Sequence, residues 1–417
     1  MSPPYDAPHC APAKGSTAMA APTTAAPVDD VAMDVEAADL HEQLIALCKR
    51  LLGEKGGNMA WRAIDAVDLE VTRISGGITN MLYRVGPREG AVGAGAAPRM
   101  LVRVFGKAGD VVCDRACENE TFAELSASAF GPTLYGLFGN GRLEGWMEGR
   151  RPLEALEMLQ VEPIDFQTLT AQRLADMHMR CKPVTDLDIW AQLREWVELG
   201  KKVAFPNDSV KAEKLKRLDP WPRFEVEVDF CESVLPSPAN GHGERLLDGN
   251  GLSPALKARK LLYERCFCHL DLLSGNIMYS EAAGDVRFID FEYAMYCHIG
   301  LDIANHFNAV PESCLILNDS FEPDKYYPSQ KLQRKWIRAY LEARSIPVDD
   351  ELLEAVLVVV LDFALLAEIR WVVWSVVQAG YSPVDFDYLD YGVMRFEQGY
   401  LKYKAWREAG RRPAPTS

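Results

Sequence analysis

From Leu352 to Val377 the chain runs through an apolar stretch long enough either to cross a bilayer or to form a helix buried on every side. Glu354, Asp362, Glu368 and Arg370 decide between the two. An acid or an arginine costs about 2.5 to 3.5 kcal/mol near the centre of a spanning helix. The stretch is therefore expected to be a buried helix of a soluble domain, with no membrane span. Trp371 and Trp374, three apart, fall on one face of it, and Phe386, Tyr388 and Tyr391 follow shortly. Two readings of these rings stay open. They form an aromatic core, or a face that attracts a cation by about 0.5 to 2 kcal/mol.

The 417 residues, 48% hydrophobic, hold material for two or three domains. A net charge of -15 without a basic stripe argues against a nucleic-acid partner, which needs cations to neutralise phosphates. Ten scattered cysteines form no disulfide framework, so free thiols and a reducing, cytoplasmic location are expected. Cys266-Phe267-Cys268-His269, with Cys297-His298 later, invites a zinc reading. Structural zinc sites favour C-x-x-C spacing, and alternate side chains on a strand face opposite ways, so zinc is set aside.

Residues 1 to 38 are rich in Ala, Pro, Ser and Thr and are expected to be a disordered tail, too poor in large apolar groups to offset the entropy of ordering. Asp29, Asp30, Asp34 and Glu36, with no Arg before Arg50, do not suit a transit peptide. Leu44, Ile45, Cys48, Leu51 and Leu52 recur at helical spacing until Gly53, which predicts a helix from Leu40 that Gly53 stops. Leu69 to Ile74 then alternates as a strand, Ser75-Gly76-Gly77 turns, and Met81, Tyr83 and Val85 return on one face. This is either a phosphate cover or simply a hairpin turn. Residues 86 to 98 read as a flexible tip, Met100 to Gly106 as a strand carrying Arg103, and Asp114 to Leu125 as a helix carrying Glu118. Arg103 and Glu118 suit the basic strand residue and helical acid that pair over phosphates in kinases, or are an ordinary surface Arg and Glu. Thr133 to Tyr135 and Arg142 to Trp146 complete a small antiparallel sheet. The predicted division is a nucleotide-binding lobe over 39–148, a mostly helical lobe over 149–410 and a flexible end over 411–417. Phe166 to Arg180 reads as a helix with His178 packed or on the surface, and residues 200 to 250, with the run Lys211 to Arg217, as solvated helix and loop.

Two short apolar strands end in hard oxygen donors: Cys268-His269-Leu270-Asp271-Leu272-Leu273-Ser274-Gly275-Asn276, and Val286-Arg287-Phe288-Ile289-Asp290-Phe291-Glu292. Phosphoryl transfer needs a carboxylate to orient or accept the proton of the acceptor hydroxyl, and oxygen ligands to hold magnesium against the phosphates. Asp271 suits the first task. Asn276, five residues on, and Asp290, at the end of the next strand, suit the second. A lone D-x-x-x-x-N means little, but joined to His269 and to I-D-F-E it is a specific pattern.

From about Val71 to Trp406 the chain resembles the choline/ethanolamine kinase family. The landmarks are I-S-G-G-I-T-N (Ile74 to Asn80), L-V-R-V-F-G (Leu101 to Gly106), C-H-L-D-L-L-S-G-N-I (Cys268 to Ile277), I-D-F-E-Y-A (Ile289 to Ala294), L-D-I-A-N-H-F-N (Leu301 to Asn308) and W-V-V-W-S-V-V-Q-A (Trp371 to Ala379). The resemblance implies an α+β, protein-kinase-like two-lobed fold with a small antiparallel-sheet lobe and a larger helical lobe. It implies ATP as co-substrate, Mg2+, and a small amino-alcohol acceptor, phosphorylated to its monoester in the first step of phosphatidylethanolamine or phosphatidylcholine synthesis. Carried over by position, Asp271 is the catalytic base and Asn276 and Asp290 are the magnesium ligands. Ser75, Gly76, Gly77 and Asn80, with Arg103 and Glu118, lie on the phosphate side, and Gly145 to Met147 form the adenine hinge. Tyr293, Trp371, Trp374 and Tyr391 line the head-group pocket, and Asp302 braces the catalytic loop. The resemblance leaves room for a homodimer.

Two positions depart from the family pattern. Leu270 stands where Asn usually follows the catalytic His, a swap expected to be tolerated on a strand face. Ala309 stands where N-H-F-x-E carries its acid, and Glu312 is the candidate to replace it. Motif similarity around Gly77 to Asn80 and Leu332 to Glu342 favours ethanolamine over choline, while Gly141 to Glu144 leans the other way. Leu270 after His269, Glu292 after Asp290-Phe291, and the lack of a long activation segment exclude protein acceptors. Retention of Asp271, Asn276 and Asp290 together argues against an inactive scaffold of the same fold.

Overall fold

The computed structural model describes residues 26–74, 80–91, 97–106, 115–182, 188–237, 253–318, 321–382 and 384–410; Ser75, Gly76, Gly77 and the last seven residues lie outside them. Alternation builds the first lobe. Strands run in the order Val28–Asp29, Leu134–Phe138, Gly141–Gly145, Met100–Phe105, Asn80–Pro87, Leu69–Ile74. All pairings are antiparallel except the outermost, where Val28 and Asp29 run parallel to Leu137 and Phe138. Met100, Val102, Val104 and Leu143 turn to one face and bury against Leu44, Leu47, Cys48, Leu51 and Trp61. Arg103, Arg142 and Glu144 turn to the other.

Two expectations are corrected here. The chain is already packed well before residue 38. Val28–Asp29 extends the sheet, Met33 is buried in its core, and Asp29 pairs with Arg50 at 3.2 Å and Lys55 at 3.1 Å. Backbone pairing and one buried carboxylate supply what the polar composition lacked. Nor does Gly53 stop the first helix. The α-helix Leu40–Cys48 widens into a π-helical stretch, Lys49–Lys55, that runs through it. A side chain at Gly53 would come within 3.1 Å of the Arg62 backbone, so the glycine is needed for close approach of the helix Met59–Ala63.

The second lobe surrounds the helix Asp350–Tyr381, buried almost continuously from Leu352 to Ala379. Asp349 caps its start by accepting from the Leu352 amide at 2.7 Å. Among the described residues no helix is long and apolar enough to cross a membrane. The helix Ile299–Asn318 packs against it, closely enough at Gly300 that a side chain there would overlap the Phe363 ring. Two small antiparallel pairings, Arg265–Cys268 with Met295–His298 and Ile277–Ser280 with Asp285–Phe288, lie beside these helices. Their connecting loops carry His269 to Asn276 and Asp290. The expected α+β, two-lobed architecture is borne out.

Asp29 is the anchor of the N-terminal strand, so Asp29→Asn should lower stability by about 1 to 2 kcal/mol in urea unfolding. Hydrogen bonds from Val31, Lys55 and Arg50 outweigh burial and hold its carboxyl below the usual value. Its contribution is therefore present above about pH 4 and lost as pH falls further.

Candidate active site

The loop after Cys268 is held from behind by one helix. Asp302, His306 and Ser313 recur along the inner face of Ile299–Asn318. Asp302 accepts from the backbone amides of His269 (2.7 Å) and Leu270 (2.8 Å) and from Nε2 of His178 (2.9 Å). His306 donates through Nδ1 to the Leu272 carbonyl at 2.9 Å, and Ser313 Oγ accepts from the Ser274 amide at 3.3 Å. The expected bracing position of Asp302 is thus occupied by a carboxylate with both oxygens engaged. His178, read from sequence as packed or exposed, is fully buried between Asp302 and the Tyr340 hydroxyl, 2.7 Å from Nδ1.

Leu270 is not on a strand face. It is buried with φ +60°, in the left-handed region that Asn adopts readily and a bulky side chain adopts at a cost of order 1 to 3 kcal/mol. The two amide bonds to Asp302 and burial of the Leu270 side chain hold it there. Asp290 has φ +63°. The His269 ring bridges the two loops, donating through Nε2 to the Ile289 carbonyl at 2.9 Å and accepting from the Asp271 amide at 3.3 Å.

This places three sequence-selected residues in one locality. Asn276 donates its amide nitrogen to the Asp271 carbonyl (2.8 Å) and carboxylate (3.2 Å), leaving its side-chain oxygen for another partner. Its backbone carbonyl accepts from Ile289, next to Asp290. The half-buried Asp271 lies in a strongly acidic setting. Burial, with the charges of Glu312, Asp290 and Glu292, pushes its carboxyl well above the ordinary range against the pull of Arg370. Two oxygen donors, Asn276 and Asp290, in surplus negative charge fit a hard divalent cation.

From the sheet, Arg103 reaches across to Asp290 at 3.1 Å and pairs with Glu144 at 2.7 Å. Its expected partner, Glu118, bonds instead to Arg142 (2.7 Å) and Arg115 (2.6 Å). The reason is register. Arg103 and Arg142 are cross-strand neighbours, and two like charges so placed need an acid between them. Glu144, two residues on from Arg142 and therefore on the same face, bonds both. Asn80 donates to Glu292 at 3.1 Å, a second link between the lobes. At the connector the Gly145 amide is used within the sheet, donating to Thr133 at 2.8 Å, while the Met147 carbonyl accepts from Arg150.

The tryptophans are indeed neighbours. Trp371 and Trp374 lie 5.3 Å apart, edge to face, with Tyr293 5.1 Å from Trp371 and Tyr391 6.2 Å from Trp374. Their ring nitrogens are satisfied, Trp371 on Asn305 at 2.7 Å and Trp374 on the Tyr293 hydroxyl at 3.0 Å. Ala309 is buried and carries no charge; Glu312, one turn along, accepts from the Tyr391 hydroxyl at 2.6 Å. Sequence reasoning missed Glu144, Arg142, Glu368, Arg370 and Arg395. Two of them carried a signal, being charges in an otherwise apolar helix. Arg370 lays its guanidinium against Trp371, Trp196 and Tyr293, 4.9 to 5.6 Å from the ring centres.

A family model described as choline/ethanolamine kinase matches residues 71–400. The chain belongs to that family. This kinase is 30% identical over 385 residues to the human choline/ethanolamine kinase, covering 88% of this chain and 87% of that protein. It is 29% identical over 349 residues to mouse ethanolamine kinase 1, covering 82% and 85%. Its fold is similar to the crystal structure of choline kinase from Cryptosporidium parvum, with TM-score 0.63 at 21% identity over 89% of this chain and 98% of that one. Family membership makes it an alcohol phosphotransferase that uses ATP.

Behind the loop that carries Asp271 in this kinase, Cys266 and Cys268 share one strand face with sulfurs 3.7 Å apart. They meet His178 rather than His269, the ligand atoms lying within 4.8 Å of one another. Both ring nitrogens of His178 already face Tyr340 and Asp302, so this is a packed polar cluster. Burial opposes a charge on His178, but Cys266, Tyr340 and Asp302 raise its pKa well above the ordinary value. For Asp302, bonds from His178 and the loop amides outweigh burial and lower it. His178→Ala should therefore cost about 3 to 5 kcal/mol at pH 6 by leaving the Asp302 charge buried without its side-chain partner. A raised pKa stabilises fully below about 6.5 and progressively less as pH climbs to the folded value, so urea unfolding should show the gap between wild type and variant narrowing toward alkaline pH.

Proposed function

We propose that this kinase transfers the γ-phosphoryl group of ATP to the hydroxyl of ethanolamine in preference to choline. The observation that supports it is the Glu312 carboxylate, held by Tyr391 at the edge of the aromatic cluster and close enough to Asp271 to raise its pKa. A primary ammonium carries three N–H donors and needs acceptors as well as rings, whereas a trimethylated head needs chiefly rings. Glu312 supplies the acceptor that Ala309 cannot.

In this reading Tyr293, Trp371, Trp374 and Tyr391 enclose the head group, and Asp271 receives the hydroxyl proton. The positive head group offsets the carboxylates around Asp271, which favours the ionised base once the acceptor is in place. Asn276 and Asp290 would hold magnesium, which supplies neutralisation of the phosphate charge. Asp290 is itself held by Arg103, so a residue of the sheet lobe helps to set its orientation. Asn80 would lie on the phosphate side, and the connector Gly145 to Met147 would lie along the adenine. Eight cysteines among the described residues are free thiols, which supports a reducing compartment such as the cytoplasm.

ADP release by the purified kinase with magnesium-ATP should be fastest with ethanolamine, slower with choline and near background with neither; a higher kcat/KM for choline would reverse the assignment. Asp271→Asn should retain ATP binding while turnover falls by about two to four powers of ten or more. Wild-type turnover in that variant would remove Asp271 from the chemistry.

A further inference from the structure

Arg395 is a heavily engaged buried cation near the aromatic cluster, and no part of the proposed chemistry uses it. It comes from the π-helical stretch Arg395–Tyr400 and is fully buried. Its Nε and Nη2 grip Glu368 at 2.8 and 3.0 Å, and Nη1 reaches the Tyr391 hydroxyl at 2.9 Å and Glu312 at 2.6 Å. Glu368 stands fully buried in the middle of the apolar helix, where an unpaired carboxylate costs several kcal/mol. Space for it exists because position 399 is glycine: a side chain there would lie 2.9 Å from Glu368 Oε2.

The arrangement has an electrostatic consequence. With Glu312 alone, Arg395 would cancel the charge that an ammonium needs. Glu368 takes up the guanidinium in a bidentate grip, so two carboxylates share one cation and one negative charge is left over. Of the two, Glu312 is the one with some exposure; one of its oxygens accepts from the Tyr391 hydroxyl and the other pairs with Arg395, leaving acceptor capacity on both. We infer that Glu368 and Arg395 are positioning residues for acceptor recognition: Arg395 aims Glu312 and Tyr391 at the head group, and Glu368 keeps Arg395 from neutralising Glu312. This deepens the ethanolamine reading and rests on it.

The groups facing Glu368 are Arg395 from the π-helical stretch, Glu312 from the helix Ile299–Asn318, Tyr391, Tyr327, and Tyr403 from the helix Leu401–Glu408. Burial raises the Glu368 carboxyl to about 7, against the pull of Arg395. Protonation of Glu368 would shift Arg395 wholly onto Glu312, so acceptor binding should tighten as pH rises through neutrality.

The test compares Glu368→Gln, Glu312→Gln and wild type in steady-state kinetics from pH 6 to 8. The shape-conserving Glu368→Gln should raise KM for ethanolamine about five- to tenfold at pH 8, leave KM for ATP within about twofold, and flatten the pH dependence seen in wild type. If the Gln variant does not fold, Gly399→Ala, which displaces the Glu368 carboxylate while keeping its charge, should raise the ethanolamine KM in the same selective way. An unchanged ethanolamine KM, or a parallel rise for ATP, overturns the inference. Glu312→Gln separates the two levels: no effect from it removes the acceptor reading itself, whereas an effect from it with none from Glu368→Gln removes only the positioning role.

Discussion

One carboxylate, that of Asp302, carries the geometry on which the rest depends. It accepts from two consecutive backbone amides and from His178, all inside the protein. Hydrogen bonds to a charged acceptor in a low-dielectric interior are strong and directional. They hold Leu270 in a left-handed conformation that its own side chain disfavours, and that turn is what swings Asp271 toward Asn276. The helix that presents Asp302 also presents His306 and Ser313 to the same loop, and Asn305 and Glu312 to the aromatic cluster. The loop that carries Asp271 and the aromatic cluster are therefore both set from a single helix.

A second layer of order comes from alternating buried charges. Arg103, Glu144, Arg142, Glu118 and Arg115 form a chain across the sheet lobe that ends on Asp290 and Glu292 in the other lobe. Such networks add little net stability, because desolvation offsets most of the attraction. Their effect here is positional: Arg103 on Asp290 and Arg115 on Glu292 tie the two lobes together at defined points. Glu312, Arg395 and Glu368 repeat the device beside the aromatic cluster.

Much of the site was legible because its signals are local. The period-2 runs at 69–74, 81–85 and 100–105, the 3.6-residue spacing of 166–180, and the join of His269, Asp271 and Asn276 to Asp290 all lie within stretches short enough for spacing to imply geometry. The misreadings have a common cause. Composition suggested a tail up to residue 38, but Asp29 is ordered by Arg50 and Lys55. Gly53 read as a stop because the approach of Arg62 is invisible in spacing. Arg103 and Glu118 read as partners by analogy, until strand register put Arg142 beside Arg103 and required Glu144 between them.

The sequence by itself determined the class of chemistry and the burial of the helix around Trp371 and Trp374, which follow from residue type and spacing along the chain, and its family resemblance implied the two-lobed α+β architecture. Only the tertiary structure decided which charge meets which: Arg103 with Asp290, His178 with Asp302, Arg395 with Glu312 and Glu368. Those partners are separated by 27 to 187 residues. A side chain's charge is written in the sequence, but the direction in which its few hydrogen bonds are satisfied depends on what folding brings within 3 Å of it, and pairing of that kind leaves no periodic trace.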